Sequence, residues 1–196
     1  MKSNLLLIIA LLALSISYSQ HKRWNVEANY TIVPGDGVFG EDNFIDVGIK
    51  YRFVRLGIFH LGFGVNGGFS RTDIENTGFA SRTDDTYLIQ PRVFTELRIP
   101  GLKRLRPSVG LGASYVHVVT DYTTQNGFDD SDSSGSLGFN LNLGLSYDFS
   151  RRFFIQAQYD FIDLTPDENV PDTIIILNPT DNGNINNIRL GLGFRF

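Results

Sequence analysis

The sequence predicts an all-β fold: an eight-stranded antiparallel up-and-down transmembrane β-barrel, with short turns at one end and long loops at the other. Three observations predict it. Eight segments keep a two-residue period, apolar on one phase and polar or glycine on the other, and in a strand the two phases face opposite ways. The connections between segments alternate between short and long. Every charge inside the segments lies on the polar phase.

The first stretch is read as an export signal. Lys2 precedes an apolar run from Leu5 to Leu14, followed by small residues from Ser15 to Ser19. This is the layout of a cleaved signal peptide over residues 1–19, leaving 20–196 as one barrel domain. A membrane anchor would need about 20 apolar residues, and this run is shorter.

The strands follow in order. Trp24, Val26, Ala28, Tyr30 and Ile32 alternate with Asn25, Glu27, Asn29 and Thr31. Ile45, Val47, Ile49, Tyr51 and Phe53 alternate with Asp46, Gly48, Lys50 and Arg52. The third runs from Phe59 to Phe69 with inward-phase positions that include His60, Gly62, Gly64 and Asn66. The fourth sets Tyr87, Ile89, Val93, Leu97 and Ile99 against Gln90, Arg92, Glu96 and Arg98, and contains Pro91. Proline cannot donate to a ladder, so a bulge is expected there. Val109 to Val119, Leu137 to Phe149 and Phe153 to Phe161 supply the next three. Ile188, Leu190, Leu192, Phe194 and Phe196 alternate with Arg189, Gly191, Gly193 and Arg195 in the last. Each is near the 9–11 residues that a tilted membrane strand needs.

The short connections are Val54 to Leu56, Pro100 to Arg106 and Ser150 to Arg152. The long ones are Pro34 to Asn43, Arg71 to Asp85, Asp121 to Ser136 and Asp163 to Ile185. Outer-membrane barrels have this asymmetry, with short periplasmic turns and long extracellular loops. An even strand number puts both termini on the periplasmic side.

Eleven charges fall within the strands: Glu27, Asp46, Lys50, Arg52, Arg92, Glu96, Arg98, Asp148, Asp160, Arg189 and Arg195. A Lys or Arg facing lipid at mid-membrane costs about 2–4 kcal/mol, so the apolar phase faces lipid and these charges face inward. A soluble barrel would turn the polar phase to water instead. Its ten glycines argue against that, because glycine weakens an exposed strand and suits a cramped interior. Aromatics near both ends of the apolar phase, from Trp24 and Phe153 to Tyr30 and Tyr115, match interfacial girdles.

Eight strands leave a lumen that side chains just fill. Buried charges need partners, so Glu96, Asp46 or Glu27 is expected to pair with Arg52, Arg92, Arg98 or Arg189 and to plug the barrel. A narrow gated pore is the alternative, which ion conductance would reveal.

The long connections carry sixteen acids against Arg71 and Arg82, a net of −14. The turn side, from Lys22 and Arg23 to Arg106 and Arg152, carries +8. The basic rim suits outer-membrane phospholipid head groups. The acidic rim is expected to meet lipopolysaccharide through bridging divalent cations.

Other motifs are weaker. Asp130 and Asp132 begin an EF-hand-like run, but Leu141 stands where the bidentate Glu belongs. They are weak metal candidates beside a plain acidic loop. His21 sits in the tail and His60 faces inward. His117 lies on the lipid phase with Tyr115 and Val119 and no local nucleophile. A lipid-modifying enzyme is therefore an alternative, and the chain is expected not to be an enzyme. No cofactor and no nucleic-acid partner are expected.

The alternating strands, the loop asymmetry and the Arg195-Phe196 ending together resemble the OmpA/OmpX-type eight-stranded outer-membrane barrels. That resemblance implies a place in the outer membrane of a Gram-negative-type envelope. It implies that the closing strand, with Phe194 and Phe196, is read by the barrel-assembly machinery. It implies a structural, adhesive or surface-interaction role with an unknown partner, and the chain is expected to lack the peptidoglycan-binding domain of some relatives.

Overall fold

The computed structural model describes residues 23–32, 44–76, 80–124, 129–164 and 184–196. The stretch expected to be an export signal, His21, the first long connection and most of the fourth lie outside them. The strands are β1 (Trp24–Ile32), β2 (Phe44–Leu56), β3 (Phe59–Asn76), β4 (Ala80–Leu97), β5 (Leu105–Thr124), β6 (Asp129–Asp148), β7 (Phe153–Leu164) and β8 (Asn184–Arg195). Each pairs antiparallel with its chain neighbour, and β8 pairs with β1 to close the barrel. Phe196 and Trp24 exchange two backbone hydrogen bonds at 3.0 and 3.1 Å, which pins the seam.

The two phases separate as alternation requires. Val47, Ile89, Leu111, Leu143, Ile155 and Leu192 are exposed outward, whereas Asp46, Gln90, Asn142, Gln156 and Arg189 are buried inside. Aromatic rings pack against ladder neighbours, tilted or edge-on, near both ends of this outer wall. Trp24 meets Tyr51 at 4.6 Å and Phe153 meets Phe194 at 5.1 Å near the turns. Phe69 meets Tyr87 at 5.2 Å near the loops.

Three local expectations are corrected. The bulge is not at Pro91. The β4–β5 register is the same at Ile89↔Tyr115 and Arg92↔Gly112, with only the rungs between them missing. Gly112 has no Cβ, and one placed there would strike the Pro91 carbonyl. β4 and β5 therefore pass Pro91 without an extra residue. The register shift lies instead in β2, between Arg52 and Val54. It puts Phe53 and Val54 both outward, so the hydrophobic face continues to Leu56. Val54 to Leu56 are therefore strand, and the turn is Gly57-Ile58, with Gly57 at a φ of 61°.

The second correction concerns two of the long connections. Arg71–Asn76 pairs with Ala80–Asp85, and Asp121–Thr123 pairs with Asp129–Ser131. Ser, Thr and Asp clusters read locally as loops, but a ladder already running upward from the membrane extends over them. β3 to β6 thus reach 18 to 20 residues. The third correction is that β5 starts at Leu105, so Arg106 is an inward strand residue and not a turn cation.

Inward glycines make room for large side chains of the neighbouring strand. A Cβ on Gly68 would enter the Phe44 ring, one on Gly62 the Phe94 ring, and one on Gly193 the Phe154 ring. Gly67 faces outward, and the nearest atom to its would-be Cβ is 3.9 Å away. Gly193→Val should destabilise the barrel by about 1–3 kcal/mol through overpacking, while Gly67→Ala should leave stability almost unchanged. Denaturant titration of the refolded barrel in lipid vesicles, followed by Trp24 fluorescence, measures both.

Candidate functional site

The lumen is filled in strata, because inward residues at equal height come from different strands. At the turn end, Glu96 receives Arg52 at 2.5 Å and Arg106 at 3.0 Å, with Arg195 at 3.9 Å. Arg106 also reaches Asp148 at 2.5 Å, and Arg195 pairs with the same carboxylate. The Arg195 guanidinium lies 4.0 Å from the Phe154 ring centroid. Phe94 and Phe154, both buried, roof this layer. The void beside them, lined by Lys50, Ser108, Gln156 and others, holds about 10 Å³, room for about one water.

The next stratum is mid-membrane. Lys50 pairs with Glu27 at 2.9 Å. Arg189 pairs with Asp46 at 3.2 Å and with Asp160, and Arg92 reaches Asp160 at 3.3 Å. Three cations therefore face three anions. Amides add further hydrogen bonds: Asn142 donates to Asp160 at 2.6 Å, Asn29 to Asp46 at 2.6 Å, and Gln90 accepts from Arg92 at 2.9 Å. Above it sits an apolar stratum of Phe44, Leu88, Val116, Ile162, Leu164 and Ile185, all buried, with Val118 packed against it.

The sequence-derived residues are thus distributed unevenly. Arg52–Glu96 and Arg189–Asp46 are the two anticipated pairings that form. Glu27 takes Lys50, and Arg92 takes Asp160. Arg98 stands half-buried at the turn end and enters none of the ion pairs among the described residues. Arg106 was missed because its strand begins earlier than the turn signals suggest. The apolar stratum was missed too. Phe44, Leu88, Val116 and Ile162 share the polar phase, and only the closed barrel shows that they meet.

Beyond the loop-side aromatics stands a four-stranded sheet. Among the described residues, Arg71–Asn76 pairs only with β4, and Asp129–Leu137 only with β5. On one face Arg71 grips Asp85 through two 2.7 Å hydrogen bonds. On the other, Asp84 accepts from Arg82 and from Thr120, each at 2.8 Å. The Arg71 bonds hold the Asp85 carboxyl below its ordinary value. Such a carboxylate contributes fully above its unfolded pKa and loses that contribution as pH falls through the folded value. This contact therefore weakens only on acidification below the usual carboxylate range.

Asp130 and Asp132 lie in β6, where an EF-hand loop cannot form. Asp132 accepts the Ser133 amide at 2.8 Å, and the Asp130 side chain lies outside the described residues. Among the described residues no cluster of three or more metal-binding side chains occurs. His117 stacks on Tyr115 at 6.3 Å. The structure brings Ser133 and Asp85 to the row above it, each opposite Val119. Asp85 is committed to Arg71, however, and His117 Nδ1 has no hydrogen-bond partner, so no relay from carboxylate to imidazole to hydroxyl is assembled.

Removing one member of a buried ion cluster leaves its partners uncompensated. Asp160→Asn, which strips charge from both Arg92 and Arg189, should cost about 3–5 kcal/mol. The exposed Arg71→Ala change should leave the unfolding midpoint in place. Guanidinium unfolding in vesicles compares the two.

Comparison with known proteins agrees with this architecture. Three solved barrels share the fold. A major outer membrane protein from Thermus thermophilus has a TM-score of 0.64 at 16% identity, covering 89% of this chain and 99% of that one. The N-terminal β-barrel domain of Pseudomonas aeruginosa OprF gives 0.56 at 17%, covering 90% and 98%. Ail, the attachment invasion locus protein of Yersinia pestis, gives 0.54 at 19%, covering 89% and 97%. No curated protein sequence matches the chain. Residues 4–196 match the family described as "Outer membrane protein beta-barrel domain". The chain belongs to that family, and it is a protein of the outer membrane.

Proposed function

We propose that this protein is a sealed, non-catalytic barrel that acts as a surface-interaction element of the outer membrane. The observation that carries this reading is the extension of β3 to β6 into a continuous sheet above the lipid-facing belt. From Ser70 to Asn76 the strand gains about 20 Å at 3.4 Å per residue. The sheet has Asp73 and Asp121 on its outward phase, and the chain around it is acidic. The three-to-three ion stratum beneath the apolar one supports a closed lumen rather than a gated pore.

The partner chemistry follows from charge. Ail was solved in complex with a heparin analogue, a polyanion. The acidic rim here supports the opposite choice, a cationic partner or lipopolysaccharide phosphates bridged by divalent cations. The aromatic pair of the closing strand supports recognition by the barrel-assembly machinery: Phe194 and Phe196 stack at 6.0 Å beside the β1–β8 seam.

Two experiments test these readings. In planar bilayers the barrel should give no stepwise conductance, and lipopolysaccharide micelles should bind the detergent-solubilised barrel in Mg²⁺ and release it in EDTA. Stable conductance steps would replace the sealed barrel with a pore, and EDTA-insensitive binding would remove the cation bridge. Deleting Phe196 should lower the folded fraction in cells while leaving refolding in detergent intact. Equal losses in both would make Phe196 structural only.

A further inference from the structure

The outer wall is not uniformly convex. Around Ala157, the smallest lipid-facing residue of β7, lies a groove of about 540 Å³. Leu105, Leu145, Tyr147, Ile155, Leu190 and Leu192 line it, from β5, β6, β7 and β8. Its size falls within the roughly 300–1,000 Å³ of small-molecule sites. It arises because register sets Ala157 between Leu145 and Leu190, so that two large side chains flank one methyl.

Three arginines stand at its turn-side mouth. Arg104 immediately precedes Leu105, and its Nη1 donates to the Tyr147 hydroxyl at 3.5 Å. Arg152 holds its guanidinium 5.9 Å from the ring centroid of Phe194, which lies two residues beyond Leu192. Arg151 is exposed beside it. No acid lies in the turn from Phe149 to Arg152 or in that from Arg98 to Arg104. An apolar groove that opens onto fixed cations is complementary to an amphiphile with an anionic head.

The membrane side decides which amphiphile. The groove lies on the short-turn half of the wall, which faces the periplasmic leaflet, and that half is bathed in phospholipid.

We propose that this groove is a binding site for one anionic phospholipid of the periplasmic leaflet. One acyl chain lies over Ala157 between Leu145 and Leu190. The phosphate is held by Arg104 and Arg152, with Arg151 in reach. The contact keeps the barrel's periplasmic rim at a set depth. It stands apart from the surface-interaction reading, since it uses the opposite end of the molecule.

The probe is phosphatidylglycerol doped into phosphatidylcholine nanodiscs carrying the full barrel, with bound lipid read by native mass spectrometry after release. The unsubstituted protein should retain one phosphatidylglycerol in preference to phosphatidylcholine. Ala157→Leu, which fills the groove, should abolish retention of either lipid. Arg104→Gln and Arg152→Gln should each cut the preference about fivefold, the equivalent of one basic side chain's attraction to an anionic head. Heat-modifiable gel migration checks that each variant is folded. Equal retention by Ala157→Leu, loss of preference in neither arginine variant, or a barrel dimer in place of a lipid adduct would each overturn the proposal.

Discussion

Closure of eight strands is the constraint from which the rest follows. A ring of this size leaves a lumen about as wide as the side chains that line it. Every inward residue must therefore find space and a partner at once. The aromatic rings of Phe44, Phe94 and Phe154 fit only because Gly68, Gly62 and Gly193 stand opposite them. The same narrowness forces charges together, and a charge without a counter-charge there would carry its whole desolvation cost.

The response is layering. The charged stratum at the turn end, with Arg52, Arg98, Arg106 and Arg195 around Glu96 and Asp148, keeps an excess of positive charge near the periplasmic rim, where water and anionic head groups can compensate it. The deeper stratum has no such access and is balanced, Lys50, Arg92 and Arg189 against Glu27, Asp46 and Asp160. Charge imbalance is thus confined to the end that solvent reaches. Towards the loops the lumen is closed mainly by apolar side chains, with uncharged polar residues such as Thr31, Ser70 and Asn140 buried among them.

Outside the membrane the rules relax. Once β3 to β6 pass the aromatic belt, both faces of the sheet meet water, and polar side chains suit either phase. Strand pairing then persists on residues that look like loop. Sheet edges invite unwanted pairing, and charged residues blunt them; among the described residues β3 and β6 pair on one side only here, and β3 carries Arg71 and Asp73 along that edge while β6 carries Asp132.

The sequence by itself determined the strand number, the lipid-facing phase and the inward placement of Glu27, Asp46, Arg92 and Arg189. Alternation is a local property, and a membrane penalises every error in it. Strand ends were less legible, because turn chemistry at Val54 to Leu56 and at Arg106 competes with a ladder that the neighbouring strand imposes. Only the tertiary structure decided that Glu27 takes Lys50, that the register shift lies at Phe53 and not at Pro91, and that Phe44, Leu88 and Ile162 meet. The first two are settled by the register between neighbouring strands and the third by closure of the whole ring, and no short window of sequence contains them.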